Sequence, residues 1–116
     1  MICSIANLGV EVPELGDLPR RCKPYMADVP VDIVLDAAKM RPDTWDTLSA
    51  EDNYYLNSGF QFYLQLLRHN GMMLHASAVV VDGYAYLFSG PCGIGKSTHT
   101  TLYKNAFPEA VIINDD

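Results

Sequence analysis

The sequence has few cysteines, and none of them stands in a metal-binding or redox motif. Three cysteines are spread over the 116 residues, with no C-x-x-C pair. Such a set argues against a disulfide framework or a zinc site and indicates a reducing compartment. Long apolar runs and a signal peptide are also missing, since Glu11, Glu14 and Asp17 lie within the first twenty residues. We therefore expect a cytoplasmic protein that does not bind a membrane.

Basic residues are scarce as well. Lys and Arg total 8 against 14 Asp and Glu, which gives a formal net charge of −6. The loose trio Arg20, Arg21 and Lys23 is explained by a solvated loop. We therefore expect no nucleic-acid partner, because a basic footprint is lacking. A nucleotide is not excluded, since local donors rather than net charge hold phosphate groups.

The sequence does contain enough apolar residues for one core. The hydrophobic share is 49%, and a chain of 116 residues suits one compact domain. Within it we distinguish a strand–strand–helix region over residues 1–71 and a second region over residues 72–116.

The first region is predicted to start with two strands. Residues 1–12 form a short apolar stretch, and residues 29–35 alternate apolar and polar side chains. Residues 13–24 hold three prolines and a glycine among charges, which predicts a loop. Residues 41–47 form a further connection.

A helix is predicted over residues 50–69. Ser49 is a typical N-cap followed by acidic residues, and Asn70-Gly71 is a usual helix end. Apolar side chains recur at helical spacing at Tyr55, Leu56, Phe60, Tyr63, Leu64 and Leu67. We expect this stripe to face the core and to pack on the sheet.

The second region begins with a hairpin signal. Residues 72–81 are rich in Val and Met, and Asp82-Gly83 is a strong two-residue turn before a return strand over residues 84–88. An antiparallel pair is therefore expected here.

The return strand leads directly into GPCGIGKSTH, residues 90–99, which contains the phosphate-binding pattern G-x-x-x-x-G-K-S. An accidental match in one such chain is expected on the order of a few times in a thousand. Backbone N–H groups of this loop and the N-terminus of the next helix, residues 96–104, together bind anions. Lys96 would reach the β- and γ-phosphates, and Ser97 would ligate Mg²⁺. The expected nucleotide contacts are Gly90, Gly93, Ile94, Gly95, Lys96, Ser97 and Thr98.

Two further side chains near the loop, Cys92 and His99, require an interpretation of their own. Cys92 lies close to a helix N-terminus and a lysine, which lower a thiol's pKa, so it is either redox-sensitive or a small residue that the loop requires. We favour the second. His99 lies in the first helical turn, and we interpret it as structural.

The sequence closes on VIINDD, a predicted strand over residues 110–113 that delivers Asn114, Asp115 and Asp116. P-loop enzymes commonly place such an acid beside the magnesium ion. Because the strand comes one helix after the loop, we favour a metal site over a solvated chain end.

Residues 73–116 resemble the kinase domain of HPr kinase/phosphorylase and the HPr-kinase-related proteins. The segment MLHASAVVVDGYAYLFSGPCGIGKSTHTTL and the later VIINDD follow the order of that family: an L-H-[AG]-[SA]-[AG]-V strand, a hairpin, G-x-[SC]-G-x-G-K-S and an acidic pair. HASAV is also similar to the H-C-S-A-N segment of phosphoenolpyruvate carboxykinases. The resemblance implies an α+β fold with a mostly antiparallel or mixed sheet and the P-loop between a strand and a helix, rather than a Ras-like fold.

The resemblance also implies roles for single residues. Lys96 binds phosphate, and Ser97 binds Mg²⁺ together with one of Asp115 and Asp116. The other aspartate acts as a base toward an incoming hydroxyl or orients it. His75 sits against the acidic pair, either as a metal ligand or as a partner of the aspartate.

The sequence departs from HPr kinase at Cys92, where that enzyme has a Ser- or Ala-type residue, and at Thr98, where it commonly has Glu. G-K-S-T is more usual in the HPr-kinase-related proteins. The signature after the acidic pair, the docking segment for the HPr substrate and the oxaloacetate signatures of carboxykinases are absent. Residues 1–70 carry no resemblance on which we rely.

The implied function is an ATP- and Mg²⁺-dependent phosphotransferase acting on a hydroxyl of a protein, peptide or small molecule. A carboxykinase-like enzyme and a non-catalytic nucleotide-binding regulatory module are the alternatives, and homo-oligomer formation stays open. Since the sequence stops at the acidic pair, we expect an N-terminal fragment of a longer kinase. Residues 1–116 alone would then be nearly inactive, because no segment is visible that closes over the nucleotide.

Overall fold

The structure, a computed structural model, describes residues 1–91 and 93–114, which form two compact units, Met1–Met72 and Met73–Asp116. Each unit combines helix with one three-stranded sheet. The expected α+β class is therefore confirmed at this level.

The sheet of the first unit starts with a hairpin rather than with one strand. Strand β1 (Ile2–Ile5) pairs antiparallel with β2 (Leu8–Glu11), and the turn residues Ala6 and Asn7 have φ values of +53° and +62°. The prediction of a single strand over residues 1–12 is wrong, because this turn uses the left-handed conformation without the glycine that usually signals it.

The rest of this sheet is shorter than predicted. Strand β3 is only Ile33–Val34 and pairs parallel with β2. Just before β3, the Asp32 amide donates to the Gly9 carbonyl, whereas the Gly9 amide donates to the Asp32 carboxylate instead of to a backbone carbonyl (both 2.8 Å). The predicted strand over residues 29–35 was therefore too long.

A helix lies where a loop was predicted. Helix α1 (Leu18–Cys22) and a 3₁₀ turn (Lys23–Tyr25) occupy part of residues 13–24. Pro19 is in the first helical turn, where its missing N–H costs nothing, and Leu18 is buried. The prolines therefore mark a helix start here instead of excluding one.

The predicted long helix is confirmed. Helix α2 (Ala50–Leu66) begins at Ser49, whose hydroxyl oxygen accepts the Asp52 amide (3.1 Å). A 3₁₀ turn (Leu67–His69) and Asn70, with φ +56°, end it. Ser49 therefore caps the N-terminus of the helix and Asn70 ends the helical segment, as predicted from the sequence.

The stripe on α2 does not pack on the sheet, and this prediction is wrong. Its six residues are all exposed; Phe60 and Leu67, for example, retain 62% and 63% of their accessible surface. The core contacts come instead from Tyr54 and Phe62, with Ser58 and Leu66 buried along the same side. Tyr54, Ser58, Phe62 and Leu66 follow one another at i, i+4 spacing along this side. Helix α2 therefore has apolar residues on more than one side, and the periodicity of the sequence predicted burial of the wrong side.

Polar side chains also hold α2 against other parts of the first unit. The Gln61 amide exchanges two hydrogen bonds with the backbone of Asp36 (2.8 and 3.0 Å). The Arg21 guanidinium joins Asp17 of the α1 N-terminus to Asp52 of α2 (both 2.9 Å). The hydrogen bond from Arg21 lowers the pKa of Asp17, and hydrogen bonds from the Ser49 hydroxyl and then from Arg21 lower the pKa of Asp52.

We expect Gly59→Ala to stabilise the first unit. Gly59 lies inside α2, and an added Cβ would meet only the Tyr63 ring at an ordinary 3.7 Å. Alanine in a helix interior is favoured by about 0.5–1 kcal/mol over glycine. Urea unfolding followed by Trp45 fluorescence should show a higher midpoint, and a lower midpoint would contradict the packing described for this side of α2.

The second unit contains the predicted hairpin. Strands β4 (Ser77–Val81) and β5 (Tyr84–Phe88) pair antiparallel around Asp82 and Gly83, whose φ values are +50° and +78°. Strand β4 starts at Ser77 rather than at residue 72. The carbonyl groups of His75 and Ala76 accept side-chain hydrogen bonds from Ser89 and Asn114.

The remaining elements of this unit are helix α3 (Lys96–Ala106) and strand β6 (Val111–Asn114). The sheet order is β5-β4-β6, and β6 is antiparallel to β4. A small core of Val79, Val81 and Ala110 lies against Phe88 and Tyr103. Consequently, α3 is fixed to the sheet through Tyr103, and its N-terminus follows the loop after β5.

Candidate functional site

The candidate site is the glycine loop, residues 90–95, between β5 and α3. At its entrance the Ser89 hydroxyl donates a hydrogen bond to the carbonyl of His75 (2.7 Å). This bond ties the end of β5 to the residues before β4. The strand–loop–helix order predicted from the glycine pattern is therefore present, and the loop starts from a fixed point.

Two glycines give the loop its backbone path. Gly93 and Gly95 have φ values of +81° and +100°, in the left-handed region that side chains rarely adopt. The Ile94 amide between them donates to the carbonyl of Pro91 (3.2 Å) and closes a turn. Alternation of left- and right-handed residues is the conformation in which successive N–H groups converge on an anion. Cys92 lies outside the described residues.

Lys96 extends back over the start of the loop. Its Nζ donates to the carbonyl groups of Gly90 (2.9 Å) and Pro91 (3.2 Å). Two of the three ammonium protons are thereby used to hold the side chain across the loop. The charge of Lys96 is thus positioned at the loop without any ligand.

The N-terminus of α3 adds a second attraction for anions. Gly95 is the N-cap, no acidic residue lies in the first turn, and no side chain among the described residues caps the helix. The first amides of a helix have no acceptor in a preceding turn and carry partial positive charge. The side chains of Ser97 and Thr98 are exposed on this turn.

His99 has a packing partner, as its structural interpretation requires. Its ring stacks on Phe88, with 5.2 Å between ring centroids and 12° between ring planes. The stack joins the first turn of α3 to the end of β5. A cavity of about 280 Å³ borders it, lined by Leu87, Phe88, Ser89, Ile94, Lys96 and His99. Sequence reasoning missed the roles of Ser89 and Phe88, for which no motif exists.

The structure describes His75 but not its predicted partners. His75 is exposed and directly precedes Ala76, whose carbonyl accepts the Asn114 side-chain amide (2.5 Å). Strand β6 ends at Asn114. Asp115 and Asp116 lie outside the described residues, so the predicted contact with His75 stays a prediction.

Ser97 is the one described residue of the predicted magnesium set. Its hydroxyl is a hard oxygen ligand at the start of α3, which suits Mg²⁺. Within residues 1–91 and 93–114 no group of three His, Cys, Asp or Glu side chains is arranged to hold a metal. The predicted metal ligands Asp115 and Asp116 lie outside the described residues, so the predicted magnesium site stays a prediction.

Comparisons with protein-family models, with curated proteins and with solved structures give no match to this chain. In the part of the chain that the structure describes, none of the helices has the length and apolar character needed to cross a membrane.

Proposed function

We propose that the second unit binds the phosphate chain of ATP with Mg²⁺, and that the protein is an HPr-kinase-like phosphotransferase acting on a hydroxyl group. The observation that carries this proposal is the position of Lys96, which reaches across a loop with two left-handed glycines at the N-terminus of an 11-residue helix. Backbone nest, helix terminus and lysine are the three parts of a P-loop.

The sheet order supports the finer fold assignment that we propose, a carboxykinase-like nucleotide domain. The P-loop follows a hairpin, and β4 lies between β5 and β6 and is antiparallel to both. In a Ras-like fold a parallel neighbour would be expected beside the strand that enters the loop. The arrangement thus favours the family that the motifs resemble.

In this proposal the reaction forms a bond between the acceptor oxygen and the terminal phosphorus and breaks the bond to ADP. Lys96 and the loop amides hold the phosphate oxygens in place, which supplies positioning and charge stabilisation. Ser97 and one of Asp115 and Asp116 would hold Mg²⁺, which would supply positive charge beside the phosphates. The other aspartate accepts the proton of the acceptor hydroxyl, with His75 as its orienting partner.

Gly95→Ala should weaken nucleotide binding. A side chain at φ +100° costs about 1–2 kcal/mol, and the strained loop would move its N–H groups out of position. We expect about 10-fold weaker Mg-ADP binding in isothermal titration calorimetry. Gly83→Ala is the matched control, since Gly83 has φ +78° and lies in the β4–β5 turn. Equal affinity losses in both variants would show that the loop does not bind the nucleotide.

In a form of the protein that is active in phosphate transfer, Asp115→Asn and Asp116→Asn should lower the transfer rate while leaving Mg-ADP binding by the loop measurable. Loss of the general base or of a metal ligand affects the chemical step more than phosphate binding. The measurement is transfer of labelled phosphate from ATP to protein, peptide and small hydroxyl acceptors. Undiminished transfer in both variants would contradict the assigned roles.

A further inference from the structure

Two cysteines of the first unit, Cys3 and Cys22, lie close together. Cys3 is in β1 and Cys22 is the last residue of α1. The Cys3 thiol donates to the carbonyl oxygen of Cys22, with 3.5 Å between sulfur and oxygen. The backbone after α1 returns along β1, where Met26 forms a β-bridge with Cys3. The two cysteines are therefore held together by the fold, although they are 19 positions apart.

The two thiols differ in access to solvent. Cys3 is fully buried, whereas Cys22 is half-buried. Cys22 also lines an open cavity of about 490 Å³ together with Ile5, Arg21, Tyr25 and Tyr55. A small oxidant can therefore reach Cys22 more readily than Cys3.

We propose that Cys3 and Cys22 form a reversible disulfide when the protein meets a hydroperoxide. The Cys22 thiolate attacks one peroxide oxygen, the O–O bond breaks, and a sulfenic acid and one water form after protonation. The Cys3 sulfur then attacks the Cys22 sulfur and displaces the second oxygen as water. Two thiols and one hydrogen peroxide thus give one disulfide and two waters, and the sulfur atoms are oxidised as the peroxide is reduced.

The surroundings of the pair make this reaction slow rather than fast. Burial raises the pKa of both thiols, and the charge and contact of Cys3 raise that of Cys22 further. The α-ammonium group of Met1, which is paired with Glu14, partly offsets this, and Arg21 borders the same cavity. Since the thiolate is the reacting form, the reaction accelerates as pH rises. The pair therefore suits sustained oxidation rather than rapid peroxide sensing.

A bond between these residues would cross-link β1 to the end of α1. Closing a loop of this length restricts the unfolded chain and stabilises the folded one. We expect the melting temperature of the oxidised protein to exceed that of the reduced protein by about 10 °C. The effect is confined to the first unit and does not depend on the proposed phosphate loop.

The test uses the full chain with Cys92→Ser, which leaves only the pair. The protein is treated with hydrogen peroxide at about pH 8.5, so that a larger share of each thiol is deprotonated. Intact-mass and peptide mass spectrometry then follow the thiols. The expected product is a monomer about 2 Da lighter, with Cys3 linked to Cys22, that resists alkylation and recovers both thiols with dithiothreitol. Cys3→Ser in the same background should stop at a Cys22 sulfenic acid or its trapped adduct.

Three outcomes would overturn the proposal: two free thiols after oxidation, a dimer linked between chains, or sulfinic acid at Cys22 with Cys3 still reduced. The Cys3→Ser variant does not decide the matter if it fails to fold, because the linkage is read directly in the protein that retains both cysteines. An unchanged melting temperature in a fully linked monomer would overturn the stabilising role.

Discussion

Lys96→Ala is expected to weaken Mg-ADP binding by about 10- to 100-fold, the loss typical of one hydrogen bond to a charged group. The Lys96 ammonium already lies across the glycine loop, held by the carbonyl groups of Gly90 and Pro91. The wild-type protein therefore needs little reorganisation to place this charge, and alanine removes it entirely. Isothermal titration calorimetry in buffers of constant ionic strength measures the change.

Lys104→Ala is the matched control for charge and helix. Lys104 is on α3 as well, and its Nζ also donates to two backbone carbonyls, those of Pro108 and Ala110. These contacts are at the C-terminal end of the helix, away from the glycine loop. We expect its affinity to stay within about twofold of wild type. Equal affinity of wild type and Lys96→Ala, or an equal loss in the two variants, would contradict the P-loop assignment.

Asn53→Ala is expected to destabilise the first unit by about 2–4 kcal/mol. Asn53 is fully buried, and its side chain satisfies the backbone of the turn before α2. Its Oδ1 accepts the Trp45 amide (2.8 Å), and its two Nδ2 protons are shared among three carbonyl oxygens, those of Trp45, Leu48 and Ser49. Alanine would leave these backbone groups without the partner around which the turn is built.

The chain offers both a probe and a control for this experiment. Trp45 is the single tryptophan and lies in the affected turn, so its fluorescence during urea unfolding reports on the first unit. Asn57→Ala removes a comparable amide, whose Nδ2 also donates to three acceptors but on a more exposed part of α2. We expect a loss of about 1 kcal/mol for Asn57→Ala. Similar values for the two variants would show that Asn53 does not organise the turn.

Local chemical signals in the sequence predicted the second unit and the ends of α2 well. Ser49 caps the helix, Asn70 ends it in a left-handed conformation, and Asp82-Gly83 forms the turn. In each case the signal and its structural effect lie within a few residues of each other. Such features need no knowledge of the tertiary fold, so the sequence is sufficient.

The wrong predictions concern features that depend on tertiary contacts. Helix α2 has apolar side chains on several sides, and burial of the row containing Tyr54 and Phe62 depends on where the sheet lies. The turn at Ala6 and Asn7 is held by pairing of the flanking strands. Asn7 is a residue type that adopts positive φ comparatively often, whereas Ala6 is not, so the sequence signals only half of this turn. Similarly, the bond from the Gly9 amide to the Asp32 carboxylate beside β3 joins residues 23 positions apart.

In the candidate site, too, local features were predicted from the sequence and tertiary contacts were not. The strand–loop–helix order around the glycine loop was expected from the sequence, because the motif that signals it lies within eight residues. The bond between Ser89 and the His75 carbonyl and the stack of Phe88 on His99 join separate elements and were not foreseen. Neither contact has a sequence pattern, since a serine or a phenylalanine at a strand end is common.

The order β5-β4-β6 has a consequence for biogenesis. The hairpin can form once residue 88 has emerged from the ribosome, but the other edge of β4, with its three consecutive valines, stays open until β6 arrives. An open apolar edge is a template for pairing with other chains. During that interval the nascent chain is a natural client for chaperones. Proteolysis between α3 and β6 would expose the same edge again and turn the second unit into an aggregation seed.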